Sequence, residues 1–121
     1  MLDSQIVDFI RSSVKTVWSL ELLLLMRRTQ QHAWSYDQLI RELRSSRNIV
    51  TESISVLVQA GVVREEDAGF RYGPATAELD GLIEQLAQEY VERPTTIVNL
   101  IVEAQSSKLQ DFANAFRIKK D

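Results

Sequence analysis

The chain has 121 residues, enough for one compact domain that buries about two-thirds of its unfolded surface without a metal or a disulfide. It contains no cysteine, which excludes a disulfide scaffold, cysteine-based zinc sites and thiol catalysis. The formal net charge of −3 at pH 7 gives only weak overall attraction to nucleic acid, so binding to phosphate would depend on local Lys and Arg contacts.

The charged residues are unevenly distributed along the chain. Residues 1–60 contain seven Lys or Arg against six Asp or Glu, whereas residues 61–105 contain three against nine. Residues 106–121 contain four against two. The acidic surplus therefore lies after residue 60, and the first half of the chain is close to neutral.

Apolar runs in the sequence are short. The longest, Leu22 to Met26, is far below the ~20 residues of a membrane-spanning helix, so no membrane partner is expected. The start Met1-Leu2-Asp3 lacks the basic residues and long apolar core of a secretion signal. We therefore expect a cytoplasmic protein, which the lack of cysteine also fits.

The first two predicted helices are residues 4–13 and 16–29. The first has apolar residues at the i, i+3 and i+4 spacing of an amphipathic helix. The second is apolar nearly all round, so we expect it to be the central buried helix. Trp18 lies at the edge of its apolar stripe and is expected in the core.

The next helix start is encoded at Ser35, three residues before Gln38. This spacing predicts a capping box, in which each side chain accepts a hydrogen bond from the backbone of the other. Trp34, just before the cap, is expected in the core. A short helix is predicted over residues 36–44, followed by a turn at residues 44–46.

The helix predicted at residues 47–60, with Gly61 placed to end it, has two different faces. Val50, Ile54 and Leu57 fall within a narrow arc, which predicts a face packed on the rest of the domain. The polar residues, with Arg47 beside them, fall on another arc: Asn48, Thr51, Glu52, Ser55 and Gln59.

Two short strands and a helix are predicted next. The strands, residues 62–66 and 70–72, enclose a turn in which Gly69 takes a positive φ. The helix covers residues 77–91, and Gly81 inside it costs about 1 kcal/mol relative to Ala. Close packing by another helix is one explanation for that glycine.

Signals for catalysis and metal binding are missing from the sequence. His32 is the only histidine and has no cysteine partner, so we expect no metal site. The sequence has no Gly-rich phosphate loop, nucleophile elbow or His-containing triad. The acidic pairs Glu65-Glu66 and Glu89-Glu92 are interpreted as solvent-exposed surface residues and not as catalytic carboxylate pairs. We therefore expect neither an enzyme nor a bound cofactor.

The segment from Trp34 to Tyr72 has the order short helix, tight turn, second helix, two-stranded hairpin. Over about residues 34–73 it resembles bacterial winged helix-turn-helix transcriptional regulators, broadly the MarR-like and ArsR-like groups. The resemblance lies in their reading helix and first wing strand. It is carried by Ser46-Arg47-Asn48-Ile49-Val50-Thr51-Glu52 and Leu57-Val58-Gln59-Ala60-Gly61-Val62-Val63.

We accordingly expect a mainly α fold with a small β-hairpin, a winged helix-turn-helix with N- and C-terminal helical extensions. The winged domain would cover residues 1–92, including the N-terminal helix, and residues 93–121 would form a C-terminal helical extension. The resemblance implies a transcriptional regulator that binds double-stranded DNA as a homodimer, with helix 47–60 in the major groove.

The resemblance also implies which residues contact DNA. Arg47 is suited to a guanine edge and Asn48 to an adenine edge. The implied base and phosphate contacts are Arg44, Ser46, Arg47, Asn48, Thr51, Ser55, Arg64 and Arg71.

Two features depart from the family pattern. Glu52 stands where a basic or small residue is usual, so it would either accept a hydrogen bond from cytosine N4 or repel phosphate. The wing tip has Glu65, Glu66 and Asp67 where basic residues are common, which weakens the expectation of a minor-groove contact.

A dimer is expected because regulators that read two half-sites usually need one, and flanking helices commonly supply the contact. Pro94 begins a segment that is apolar at residues 97–102, and residues 109–116 carry a further stripe. These segments either pack back on their own domain, pair with a second copy or hold a protein partner. The predicted dimerisation residues are Ile97, Leu100, Ile101, Phe112 and Phe116.

The alternative function is a winged-helix adaptor that binds a protein and does not bind DNA. The acidic wing and the negative net charge suit a protein partner better than a polyanion. Salt-dependent binding to duplex DNA distinguishes the two functions.

Overall fold

The computed structural model describes residues 3–106, which form six helices and one antiparallel hairpin. This confirms the mainly helical class with a small β-hairpin. Among these residues, no helix has the length and apolar character needed to cross a membrane. The elements in chain order are α1 (Ser4–Ser13), α2 (Val17–Arg28), α3 (Tyr36–Leu43), α4 (Arg47–Gln59), β1 (Val63–Glu66), β2 (Gly69–Tyr72), α5 (Ala77–Glu92) and α6 (94–106).

Side-chain acceptors mark where the first five helices begin. The capping box predicted at α3 is present: the Gln38 N–H donates to Ser35 Oγ, and the Ser35 N–H donates to Gln38 Oε1, both over 3.1 Å. Such a cap satisfies backbone donors that have no partner inside the helix. The five N-cap residues are Asp3, Thr16, Ser35, Ser46 and Thr76.

Helix α2 is the central buried helix, as predicted. It packs against α3, α4 and β2, and the run from Leu22 to Met26 is buried. The expectation that Trp18 is a core residue is wrong, because its side chain is 44% exposed. Trp18 lies in the first turn of α2, beside the half-buried Val17, and lines an open groove next to α3.

Helix α6 packs back on its own domain. Ile97 and Ile101 are 0% and 2% exposed within the same core as α1 to α5, and Leu100 packs against that core. This corrects the assignment of Ile97 and Ile101 to a dimer surface, because their side chains fill the interior of their own chain. Leu100 is half-buried, and its assignment stays a prediction. The predicted domain boundary after residue 92 coincides with the break between α5 and α6, but residues on both sides of it pack in the same core. Phe112 and Phe116 lie outside the described residues.

Two tyrosine–carboxylate hydrogen bonds attach α5 to the rest of the domain. Tyr72 of β2 donates to Asp80 Oδ1 over 2.6 Å, and Tyr90 donates to Glu21 Oε1 of α2 over 2.7 Å. Burial, followed by the bond to Asp80, raises the pKa of Tyr72. The bond to Glu21, followed by burial, raises the pKa of Tyr90. Both phenols therefore remain protonated donors at neutral pH.

The hairpin is held against the chain just before α3. The β1 and β2 strands pair in antiparallel register around a turn at residues 67–68. Trp34 forms a bridge to Phe70, in which each N–H donates to the carbonyl of the other over 2.7 Å. Gly69 has the predicted positive φ, 138°, but it lies in β2, where a Cβ atom would overlap the Trp34 carbonyl. Only glycine therefore allows this close approach.

The two glycines Gly69 and Gly81 provide a matched test of the fold. Gly69→Ala should lower the free energy of unfolding by about 1–3 kcal/mol, because it adds a clash to an unfavourable φ. Gly81→Ala should raise it by about 1 kcal/mol, since a Cβ atom at this helical position meets nothing within 4 Å. Urea unfolding measures both changes. Equal effects of the two substitutions would contradict the position of the hairpin.

Candidate nucleic-acid interface

The inner face of α4 is buried as the sequence predicts. Val50, Ile54 and Leu57 are 0%, 1% and 0% exposed, and α4 packs on α2 and α3. These three side chains determine which side of the helix faces outward. Burying each of them fully is worth about 1.5–3 kcal/mol, so the orientation of α4 is strongly specified.

A buried hydroxyl pair on the same face was not predicted. Ser53 is 5% exposed and Ser19 of α2 is 3% exposed, and their Oγ atoms are 2.7 Å apart in a hydrogen bond. Ser53 lies three residues after Val50 and four before Leu57, so the helical spacing placed it on the inner arc. A buried polar group needs such a partner, which makes the pair a specific link between α4 and α2.

The outer face of α4 is a polar surface, which we call the α4 ridge and define as Arg47, Asn48, Thr51, Glu52 and Ser55. Four of these residues are exposed, and Thr51 is half-buried. The Thr51 hydroxyl donates to the Asn48 carbonyl over 3.2 Å, so it is partly used within the helix. The arc predicted from the sequence therefore faces outward, with Glu52 at the edge of a cleft that Lys15 and Gln105 also line.

The turn between α3 and α4 holds two more predicted contact residues in defined roles. Arg44 ends α3 in the left-handed region, with φ 52° and ψ 43°, and its N–H donates to the Ile40 carbonyl. Ser46 caps α4, because its Oγ accepts the Ile49 N–H over 3.2 Å. Both side chains are exposed beside the first turn of the α4 ridge.

Arg47 is not a free cation in the structure. Its Nη2 donates to Asp37 Oδ1 of α3, and the two side chains are 62% and 70% exposed. An ion pair this exposed contributes about 0–1 kcal/mol, so an acceptor that binds the guanidinium more strongly can replace Asp37 as the partner of Arg47. The sequence reasoning did not identify Asp37, because the pair depends on how α3 and α4 cross.

The two hairpin arginines both lie beside Glu66. Arg71 donates from Nε to Glu66 Oε1 over 2.9 Å and from Nη1 to the Gln31 carbonyl over 2.8 Å. Arg71 thus ties the hairpin to the segment after α2. Arg64 has Nη2 at 3.7 Å from Glu66 Oε2 and keeps 62% of its side chain exposed. Of these two predicted phosphate contacts, Arg64 is the more available.

Comparisons of the chain with protein-family models, with curated proteins and with solved structures find no match. The surface is therefore interpreted from its own residues. The α4 ridge, Arg44 and Ser46 lie together on or beside one helix, whereas Arg64 and Arg71 lie on the hairpin. Within residues 3–106, no group of three or more His, Asp or Glu side chains could hold a metal ion.

Substitution of Arg44 tests whether its side chain is needed for stability. A non-glycine residue in the left-handed region costs roughly 1–2 kcal/mol, while glycine adds entropy to the unfolded chain. Arg44→Gly should therefore leave the free energy of unfolding unchanged or raise it by up to about 1 kcal/mol. The control Arg41→Gly, inside α3, should lower it by about 1 kcal/mol. A large loss of stability in Arg44→Gly would show that its side chain supports the fold.

Proposed function

We propose that the protein is a DNA-binding transcriptional regulator, in which α3, the turn and α4 form a helix-turn-helix and the hairpin forms a wing. The single observation that carries this proposal is the α4 ridge, a largely exposed polar surface on the side of α4 opposite the face that is buried in the core. A helix with such an outer face fits the major groove, which is about 12 Å wide.

In the proposed complex, the first turn of α4 approaches the bases. Arg47 leaves Asp37 to contact a guanine edge, and Asn48 contacts an adenine edge. Arg44 and the N-terminal end of α4 contact the phosphate backbone, since the positive end of the helix dipole favours an anion. The Ser46 hydroxyl retains its proton for an outside acceptor while it caps the helix.

We also propose that the regulator acts as a homodimer, as half-site recognition usually requires. Because Ile97 and Ile101 are internal, the contact between copies has to use other apolar side chains. Val91 is 82% exposed and Val102 is 55% exposed, on α5 and α6 respectively. These helices flank the winged region, and flanking helices commonly join two copies of such a domain.

A protein-binding adaptor is the second candidate, and the hairpin tip favours it. Glu65 and Asp67 are exposed there, while Glu66 draws Arg64 and Arg71 toward itself. A wing with this charge suits a basic protein surface better than the phosphate backbone.

Selection of bound fragments from random duplexes tests the proposed function. Enrichment of a short sequence is expected, and an inverted repeat of that sequence would support the homodimer. Affinity for the selected duplex should fall as salt rises, with a log–log slope of about −0.9 for each phosphate contact. A pool that shows no enrichment at low salt would contradict the proposed regulator and favour the adaptor.

The Arg47–Asp37 pair predicts opposite effects of two substitutions on DNA affinity. Arg47→Ala should weaken binding to the selected duplex by about 1–3 kcal/mol, because a base contact is lost. Asp37→Asn should strengthen binding by up to about 1 kcal/mol, since Arg47 no longer has to leave an ion pair. Fluorescence anisotropy with a labelled duplex measures both.

A charge-matched control distinguishes this local effect from general electrostatics. Glu84 is exposed on α5, and Glu84→Gln removes the same charge as Asp37→Asn. Affinity gained equally in both variants would mean that Asp37 acts through net charge alone. Unchanged circular dichroism spectra would show that all three variants are folded.

A further inference from the structure

A small cleft lies where α2, α4 and α6 meet, at the edge of the α4 ridge. Its polar lining residues are Lys15, Thr16, Ser19, Glu52, Ser53 and Gln105, and we call it the Ser53 cleft. Its volume is about 220 Å³. A water molecule occupies about 30 Å³ in the liquid, so the cleft has room for a ligand of about seven non-hydrogen atoms.

Gln105 of α6 brings an unused donor to this cleft. The residue is half-buried, and its Nε2 atom is buried with no hydrogen-bond partner among residues 3–106. A buried amide nitrogen without an acceptor destabilises a fold, so buried polar groups nearly always have a partner. The acceptor for Gln105 therefore has to come from outside the described chain.

The three hydroxyl groups of the cleft carry one proton more than they use among themselves. Thr16 Oγ1 donates to Ser19 Oγ over 3.3 Å, and the Oγ atoms of Ser19 and Ser53 are 2.7 Å apart. These two contacts use two of the three hydroxyl protons. Whichever serine donates to the other, one serine proton is left without an acceptor among residues 3–106. The cleft thus offers a second unused donor beside two buried serines.

The charges at the cleft define the other end of a ligand. Thr16 caps α2, so the cleft lies at the positive end of that helix dipole, and Lys15 adds a positive charge there. Glu52 is exposed and brings a carboxylate to the same cleft. A simple anion would meet Glu52 as a like charge. A ligand with both a carboxylate and an ammonium group avoids that repulsion and matches both signs.

We propose that the Ser53 cleft binds a small free α-amino acid. Its carboxylate accepts hydrogen bonds from Gln105 Nε2 and from the unused serine hydroxyl, and its ammonium group pairs with Glu52. An α-amino acid carries these two groups on neighbouring carbon atoms, which suits a cleft with room for only about seven non-hydrogen atoms.

Nuclear magnetic resonance titration of the full-length chain tests this binding. The probes are glycine, alanine, serine and threonine, each added alone. At least one should give saturable shifts, at about 10 mM or below, in the side-chain amide of Gln105 and the backbone amides of Ser19 and Ser53. The amide of Gln85, which is exposed on α5, is the internal control and should not shift.

Two half-ligands show whether both charged groups are recognised. Acetate carries only the carboxylate and ethylamine only the ammonium group, so each should bind about tenfold more weakly than the amino acid. Acetate that binds as well as the best amino acid would overturn the proposal, because the cleft would then hold a simple anion. The absence of saturable shifts with all four amino acids would also overturn it and assign the cleft to solvent.

Two substitutions assign the ends of the ligand to residues. Gln105→Glu replaces the amide donor by an acceptor of the same size and should weaken amino-acid binding by about tenfold. Its matched control, Gln85→Glu, adds the same charge on α5 and should leave binding unchanged. Glu52→Gln should weaken the amino acid but strengthen acetate, since a like charge is removed. Equal changes for both ligands in Glu52→Gln would contradict the pairing with the ammonium group.

Glu52 belongs both to the Ser53 cleft and to the α4 ridge, so a bound ammonium group would neutralise an acidic residue on the proposed DNA surface. This consequence rests on the proposed function, whereas amino-acid binding does not. In fluorescence anisotropy with the selected duplex, the amino acid should raise DNA affinity severalfold, and it should have no effect in Glu52→Gln. Amino-acid binding without a change in DNA affinity would contradict the consequence alone. Failure of the unliganded protein to bind any duplex would contradict the proposed function.

Discussion

The attachment of α4 to α2 is the constraint on which the interpretation of this structure depends. Burial of the apolar inner face of α4 stabilises this attachment, and the hydrogen bond between Ser53 and Ser19 favours one rotation of α4 about its axis. A rotation of α4 by one residue would expose apolar surface and leave two buried hydroxyls without each other. The outward surface of α4 is thus a consequence of how its other side is packed.

The hairpin is positioned by direct packing of β1 on α4 and of β2 on α2, and by contacts with the chain between α2 and α3. The Trp34–Phe70 bridge brings β2 to the start of α3, and the missing side chain of Gly69 allows the backbones to approach. Arg71 adds a bond to Gln31, just after α2. Since α3 also packs on α4, the hairpin, α3 and α4 form one connected unit.

Features that depend on residues close together in the sequence were predicted correctly more often than features that depend on tertiary contacts. The Ser35–Gln38 capping box and the inner arc of α4 depend on residues three or four apart, and both are present. The exposure of Trp18, the burial of Ile101 and the partner of Arg47 depend on which elements meet in space. Hydrophobic character alone predicted a core tryptophan and an isoleucine at a contact between copies, whereas tertiary packing leaves Trp18 exposed and buries Ile101 within its own chain. The candidate DNA contacts on α4 were predictable as a surface, but their internal partners were not.

The internal ion pairs also bear on how the proposed regulator would select its site. Arg47 is paired with Asp37, and Arg71 with Glu66, so part of the positive charge is neutralised before any phosphate is met. In the proposed regulator this would lower the sequence-independent affinity for DNA, which depends on Lys and Arg contacts to the phosphate backbone. A bidentate guanine contact can still displace an exposed carboxylate, because each good base contact is worth about 1–3 kcal/mol and the surface pair about 0–1 kcal/mol. In the proposed regulator the pairing would thus reduce binding to random sequence more than binding to a matched site, and it would raise the specificity ratio on which selection among many genomic sites depends.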